Sequence, residues 1–171
     1  VSKLLNLLLD KNYIKNKKFQ IIIKKNIPQF SGMGGGSMNA GSILNYLIKK
    51  KIIKVSKNDL IKIAQSIGSD VILGLFNGPI IVFGKKNFKI LKKKIKFHLL
   101  IIKPNFGCST KTIYSHHRGL TKGMFINKPI FKKDYLRNNL NNDLEITAFK
   151  KFPILQKIKN FMQKLENIYF V

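Results

Sequence analysis

Ser31-Gly32-Met33-Gly34-Gly35-Gly36-Ser37-Met38-Asn39-Ala40 places four glycines within ten residues. Glycine lets a backbone bend sharply and bring several N–H groups close to one anion. Before this run, Phe19 to Ile23 is short and β-branched and predicts a strand that leads through Ile27-Pro28 into the glycines. After it, apolar residues fall at Ala40, Ile43, Leu44, Leu47 and Ile48, the spacing of an amphipathic helix with one buried face. Strand, glycine turn and helix together form the arrangement that binds phosphate, because the positive end of the helix dipole adds to the N–H groups. The run is not a Walker A loop, since no Lys follows the glycines before Ser37, and the dinucleotide pattern G-x-G-x-x-G fails where Ser37 stands. An ordinary flexible turn is the bland alternative.

Working outward, Leu4, Leu5 and Leu8 have helical spacing within Ser2 to Leu9. Ser56-Lys57-Asn58-Asp59 reads as an N-cap with an acid at the third position. It starts a helix that turns Leu60, Ile63, Ala64 and Ile67 inward, with Gly68 placed to end it. Asn77-Gly78-Pro79 predicts a turn and Ile80 to Phe83 a strand. Lys85 to Lys96 has no strong core pattern and marks a domain boundary. His98 to Lys103 predicts a buried strand ending at Pro104, and Asp143 to Lys151 a short helix. Pro153 suits the first turn of a further helix with Ile154, Ile158, Phe161 and Leu165 on one face. Helices and strands alternate, so the class is α+β, with a two-layer α/β arrangement, and no repeat is visible.

Composition narrows the function classes. At 171 residues and 44% hydrophobic content the chain can build one ordinary domain or two small ones. Apolar runs such as Leu99 to Ile102 are too short to span a bilayer, and the first residues do not read as a signal peptide. One cysteine, Cys108, excludes an internal disulfide and a Cys-based zinc site, which fits a reducing, cytoplasmic setting. Cys108 reads as a small buried filler. His98, His116 and His117 lack metal-ligand spacing; His98 reads as a strand residue, and His116-His117 as exposed loop. No metal ligand set is assigned. The net charge of +26 would suit nucleic acid, but only Arg118 and Arg137 are arginines, and Lys is spread from end to end beside abundant Ile and Asn. That joint enrichment reads as AT-rich coding applied to every solvated face, so nucleic acid is not the expected partner. The field still attracts anionic nucleotides.

Pro28-Gln29-Phe30-Ser31-Gly32-Met33-Gly34-Gly35-Gly36-Ser37-Met38-Asn39-Ala40 resembles the second motif of the GHMP kinases. Asn6-Leu7 is similar to the start of the family's helix before the ATP loop. Ile67-Gly68-Ser69-Asp70-Val71 resembles its Gly-x-Asp-Val segment. Pro104 to Tyr114 resembles Pro-x-x-x-x-Ser-Thr-x-x-hydrophobic-aromatic, and Asn142-Asp143-Leu144-Glu145 resembles Asn-Asp-Leu-Glu. These segments follow the family's order across almost the whole chain.

The resemblance implies a ribosomal-S5-like N-terminal domain over 1–92 and a ferredoxin-like C-terminal domain over 93–171, both incomplete. It implies ATP with Mg2+, bound by Pro28 to Asn39, and transfer of phosphate to the 2-hydroxyl of a cytidine diphosphate-linked methylerythritol in non-mevalonate isoprenoid biosynthesis. Asp70 carries over as the catalytic acid, whereas residue type alone reads an Asp after a helix-ending Gly as a turn or cap residue. Ser37 reads as a phosphate or magnesium contact or as a cap of the following helix, and Ser109 and Thr110 as substrate-side residues or turn formers. Met38 stands where the most similar branch has Ser. The family's Pro-x-Lys-x-Asn and final Gly-Ser/Thr-Gly motifs are not in this sequence, which implies a fragment of a longer kinase, inactive or impaired alone. The rival readings are a GHMP kinase of the homoserine or mevalonate type and, from another class, a basic RNA-binding module.

Overall fold

The apolar spacing of the first ten residues becomes helix α1 (Ser2–Asp10), which buries Leu4 and Leu8. In the computed structural model every residue is described except 16–17, 84–86, 92–95, 97, 118–140, 167 and 169–170. Arg118, Arg137 and the 92/93 boundary expected from sequence lie outside the described residues. Packing divides the chain into two units: Val1–Pro28 with Met33–Leu99, and Gln29–Gly32 with Leu100–Val171. Among the described residues the protein is mostly helical with one two-stranded sheet, an incomplete α+β arrangement.

In the first unit, α1 is joined by α2 (Gly35–Lys49), α3 (Lys57–Ile67), a 3-10 helix (Ser69–Gly74) and strands β1 (Ile80–Phe83) and β2 (Asn87–Ile90). Ala40, Leu44 and Leu47 of α2, Ile63 and Ala64 of α3, and Val71, Ile72 and Leu75 form one core with Leu4 and Leu8. The caps follow the sequence. Ser56 Oγ accepts the Asp59 N–H at 3.1 Å and donates to the Asp59 carboxylate at 2.7 Å. Gly68 ends α3 in extended backbone at φ 176°, so its lack of a side chain is not what stops the helix. The Lys3 ammonium donates to the Ile67 carbonyl at 3.0 Å, placing a cation at the negative end of α3.

Two backbones approach closely at one point. A Cβ on Gly41 would lie 2.9 Å from both Cα and C of Gly74, and one on Gly74 would lie 3.4 Å from the Cα of Gly41 and of Met38. Asn45, one turn on from Gly41, donates through Nδ2 to the carbonyls of Gly74 (3.1 Å) and Leu75 (3.0 Å). Glycine inside a helix is normally unfavourable, so its presence at 41 has a packing cause.

Three sequence expectations are corrected here. Lys85 to Lys96 contains a strand: β2 pairs antiparallel with β1, Ile80 opposite Ile90 and Val82 opposite Phe88. Phe88 leans on the core and stacks on Phe76, with ring centroids 5.2 Å apart, and one inward residue in four is too weak a period to read. Phe19–Ile23 and His98–Lys103 belong to no ladder among the described residues, and His98 is exposed. Ile22 is 86% and Leu99 71% exposed. A β-branched run supplies propensity, but a strand also needs a neighbour offering backbone groups about 4.8 Å away.

The second unit holds α4 (Thr110–His116), α5 (Leu144–Lys151) and α6 (Pro153–Met162). Asn142 Oδ1 accepts the Leu144 N–H at 3.1 Å, and Glu145 pairs with Lys159. Phe106 stacks on Phe152, with centroids 4.9 Å apart. The expected inner face of α6 is also corrected. Ile154, Phe161 and Leu165 are exposed, whereas Met162 is buried and Leu155 and Ile158 are half-buried. Apolar residues occupy two arcs of this helix, and periodicity alone does not choose between them.

Gly41→Ala tests the close approach. An exposed helical Gly→Ala change stabilises, but here overpacking is expected to cost about 1–3 kcal/mol, read from the urea midpoint at unchanged m-value.

Candidate functional site

The first turn of α2 is built without side chains. Gly34 is the N-cap at φ 64°, and Gly32 has φ 72°, both in the left-handed region that glycine tolerates. Among the described residues, and apart from chain neighbours and the helix's own backbone, no heavy atom lies within 4 Å of the Cβ positions of Gly32, Gly34, Gly35 and Gly36. The first intrahelical bond is Met38 N–H to Gly34 C=O at 3.0 Å, so the N–H groups of Gly35, Gly36 and Ser37 precede the ladder. The N-cap glycine has no side chain with which to cap them, and no acid stands in the first turn. The positive end of a 15-residue helix therefore meets open space through bare backbone. An anion with several oxygens fits this surface, and a Cβ at Gly35 or Gly36 would fill it.

Ser37 sits inside this turn, half-buried, and makes no capping bond. Its expected alternative role as the cap of α2 is thereby corrected: Gly34 occupies the N-cap, three residues too early for Ser37 to reach the free N–H groups in that way. Met38 and Asn39 are half-buried on the same turn. Pro28 and the glycine-run residues from Met33 onward belong to the first unit, whereas Gln29, Phe30, Ser31 and Gly32 pack with the second.

Asp70 lies in the first turn of the 3-10 helix and is exposed. Ser69 Oγ donates to Asp70 Oδ1 at 3.0 Å, which engages one carboxylate oxygen. The same short helix packs against α2 at Gly74, opposite Met38 and Gly41, so the glycine turn and Asp70 ride on two elements in direct backbone contact. That juxtaposition was not legible in the spacing of the motifs. Its signal was Gly41 inside an otherwise regular amphipathic helix.

In the second unit, Ser109 is the N-cap of α4, accepting the Thr112 N–H at 3.4 Å, and Thr110 begins the helix exposed. Cys108 is half-buried, not the buried filler expected from its type. His116 and His117 are corrected as well: His116 ends α4, and only His117 lies beyond it, half-buried with Nδ1 3.5 Å from Thr147 Oγ1. Both line a cavity of about 610 Å3 with Asp143, Ile146, Thr147, Lys150 and Lys151. Sequence reading had missed this cluster because its members come from α4 and α5, separated by a long stretch of chain. No group of three His, Cys, Asp or Glu suited to a metal ion occurs among the described residues. No described helix is long and apolar enough to cross a membrane.

Comparison with known proteins places this geometry. The GHMP kinases N terminal domain matches residues 1–85. A 4-diphosphocytidyl-2-C-methyl-D-erythritol kinase of Pelagibacter ubique (strain HTCC1062) is 51% identical over 174 residues, covering 100% of this chain and 61% of the relative. Kinases of the same name from Syntrophus aciditrophicus (strain SB) and Petrotoga mobilis (strain DSM 10674 / SJ95) are 36% and 32% identical, over 83% and 91% of this chain. The chain spans 52% and 63% of those two proteins. No solved structure matches it. The glycine turn on α2 and Asp70 on the helix packed against it both lie inside residues 1–85, the part of this chain that is similar to the GHMP kinases N terminal domain.

Proposed function

We propose that this protein transfers the γ-phosphoryl group of ATP to the 2-hydroxyl of 4-diphosphocytidyl-2-C-methyl-D-erythritol, on the cytoplasmic non-mevalonate route to isoprenoid precursors. The observation that carries the reading is the 51% identity to the Pelagibacter kinase over the whole of this chain. The bare N-terminal turn of α2 supports it physically, because it fits a chain of phosphates. The nucleotide set is Pro28 to Asn39. Two domains divide near 92/93, an S5-like one and a ferredoxin-like one; the separate packing of residues on either side of Leu99 and Leu100 supports that division.

ATP supplies the phosphoryl group and a stable leaving group. The N–H groups of Gly35, Gly36 and Ser37 hold phosphate oxygens where negative charge accumulates during transfer. A Mg2+ ion arriving with the nucleotide would neutralise phosphate charge, and the Ser37 hydroxyl would be the protein oxygen of this turn available to it. Asp70, with Oδ1 engaged by Ser69, orients the acceptor hydroxyl at Oδ2 and takes its proton as the hydroxyl attacks. Ser109 and Thr110 stand on the substrate side.

Two outcomes check this reading. With the full-length gene product, labelled phosphate from ATP is expected on the cytidylyl alcohol and not on homoserine or mevalonate; turnover of either of those instead overturns the substrate assignment. Asp70→Asn is expected to lower kcat by about 10²–10⁴-fold while stability, read by thermal melting, changes by no more than about 0.5 kcal/mol, since the side chain is exposed.

The glycines separate binding from folding. Gly36→Ala, in open space within the helix, is expected to keep or raise the melting temperature and to weaken binding of a fluorescent ATP analogue. Gly34→Ala, at φ 64°, is expected to weaken both, with about 1–2 kcal/mol lost in stability.

A further inference from the structure

Phe30 is a non-glycine residue at φ 56°, in the left-handed region that a side chain with a Cβ resists. The residue is 64% exposed, so burial does not hold it there. Such a conformation persists only where the surroundings over-determine it. Here the surroundings are two adjacent residues. The Cys108 N–H donates to the Phe30 carbonyl at 3.1 Å. Beside it, a Cβ on Gly107 would stand 2.7 Å from Phe30 Cβ and 3.3 Å from Cγ and Cδ2, a space that real Cβ contacts essentially never occupy. The φ of Gly107 is not positive, so glycine is needed there for space and not for backbone conformation.

The turn that carries this seat is itself fixed. The Lys103 ammonium donates to the carbonyls of Pro104 (2.9 Å) and Phe106 (3.1 Å), closing the backbone around 104–107. Phe106 is anchored on the Phe152 ring, and Ser109 starts α4 immediately after Cys108.

We propose that Gly107 is a positioning residue for the nucleotide loop: with Cys108 it seats Phe30, and so sets the path by which the chain enters the glycine run. The segment bearing Ser109 and Thr110 and the entry arm of the loop therefore move as one piece. The consequence for ATP rests on the kinase reading above; the seat itself does not.

A double-mutant cycle tests it, read by hydrogen exchange of the Cys108 amide, which donates to the Phe30 carbonyl, and by titration with a methylanthraniloyl ATP analogue. Gly107→Ala is expected to speed exchange of that amide and to weaken analogue binding, each about tenfold. On a Phe30→Gly background, where the opposing Cβ is gone and φ 56° is unstrained, the same change is expected to add less than about twofold. Equal losses on both backgrounds, or no loss on either, overturn the proposal. If Gly107→Ala does not fold, Lys103→Met leaves the glycine in place and frees the turn; it is expected to speed exchange of the Cys108 amide, and unchanged exchange counts against the seat. A wild-type chain that does not bind the analogue overturns the kinase reading, and the exchange cycle then decides the seat alone.

Discussion

The first unit is organised by the contact of α2 with the 3-10 helix at Gly41 and Gly74, where two backbones meet with no side chain between them. Close approach of this kind excludes water from both main chains and requires partners for their polar groups. Asn45 supplies them, holding the carbonyls of Gly74 and Leu75 with one amide group. The contact turns Val71, Ile72 and Leu75 toward Leu44, Leu47 and α1, and it leaves Asp70 at the outer end of the short helix. A larger residue at 41 would push that helix away and shift the carboxylate with it. The core and the candidate chemistry therefore depend on the same two hydrogen atoms in place of side chains.

The glycine turn follows a different logic. Gly32 and Gly34 are there for backbone conformation, as their positive φ shows, while Gly35 and Gly36 leave space that a ligand can enter. A helix start with three uncapped N–H groups and no acid is an incomplete electrostatic arrangement, and an anion completes it. The lysines distributed over the chain strengthen the general attraction for such an anion without specifying its place.

Much of the chain was legible from one dimension. The cap at Ser56, the strand at Ile80–Phe83, the helix opened by Pro153 and the buried positions of α2 and α3 stand where the spacing puts them. These features are local: a cap, a turn or one helical face is decided within a few residues. Phe19–Ile23 and His98–Lys103 pair with nothing among the described residues, because β propensity says that a segment can pair, not that a partner is beside it. The 3-10 helix at Ser69–Gly74 and helix α4 were missed because each is six or seven residues long, too short for a periodic signal.

The sequence by itself determined the amphipathic helices, the glycine run and, through motif order, the resemblance to the GHMP kinases, because each is written in residues close together in the chain. Tertiary structure alone decided that Gly41 would face Gly74, that Phe30 would rest on Gly107, and that Gly34 and not Ser37 would take the cap. Those outcomes depend on steric fit between segments distant in sequence. Local periodicity carries no record of which segment will be the neighbour.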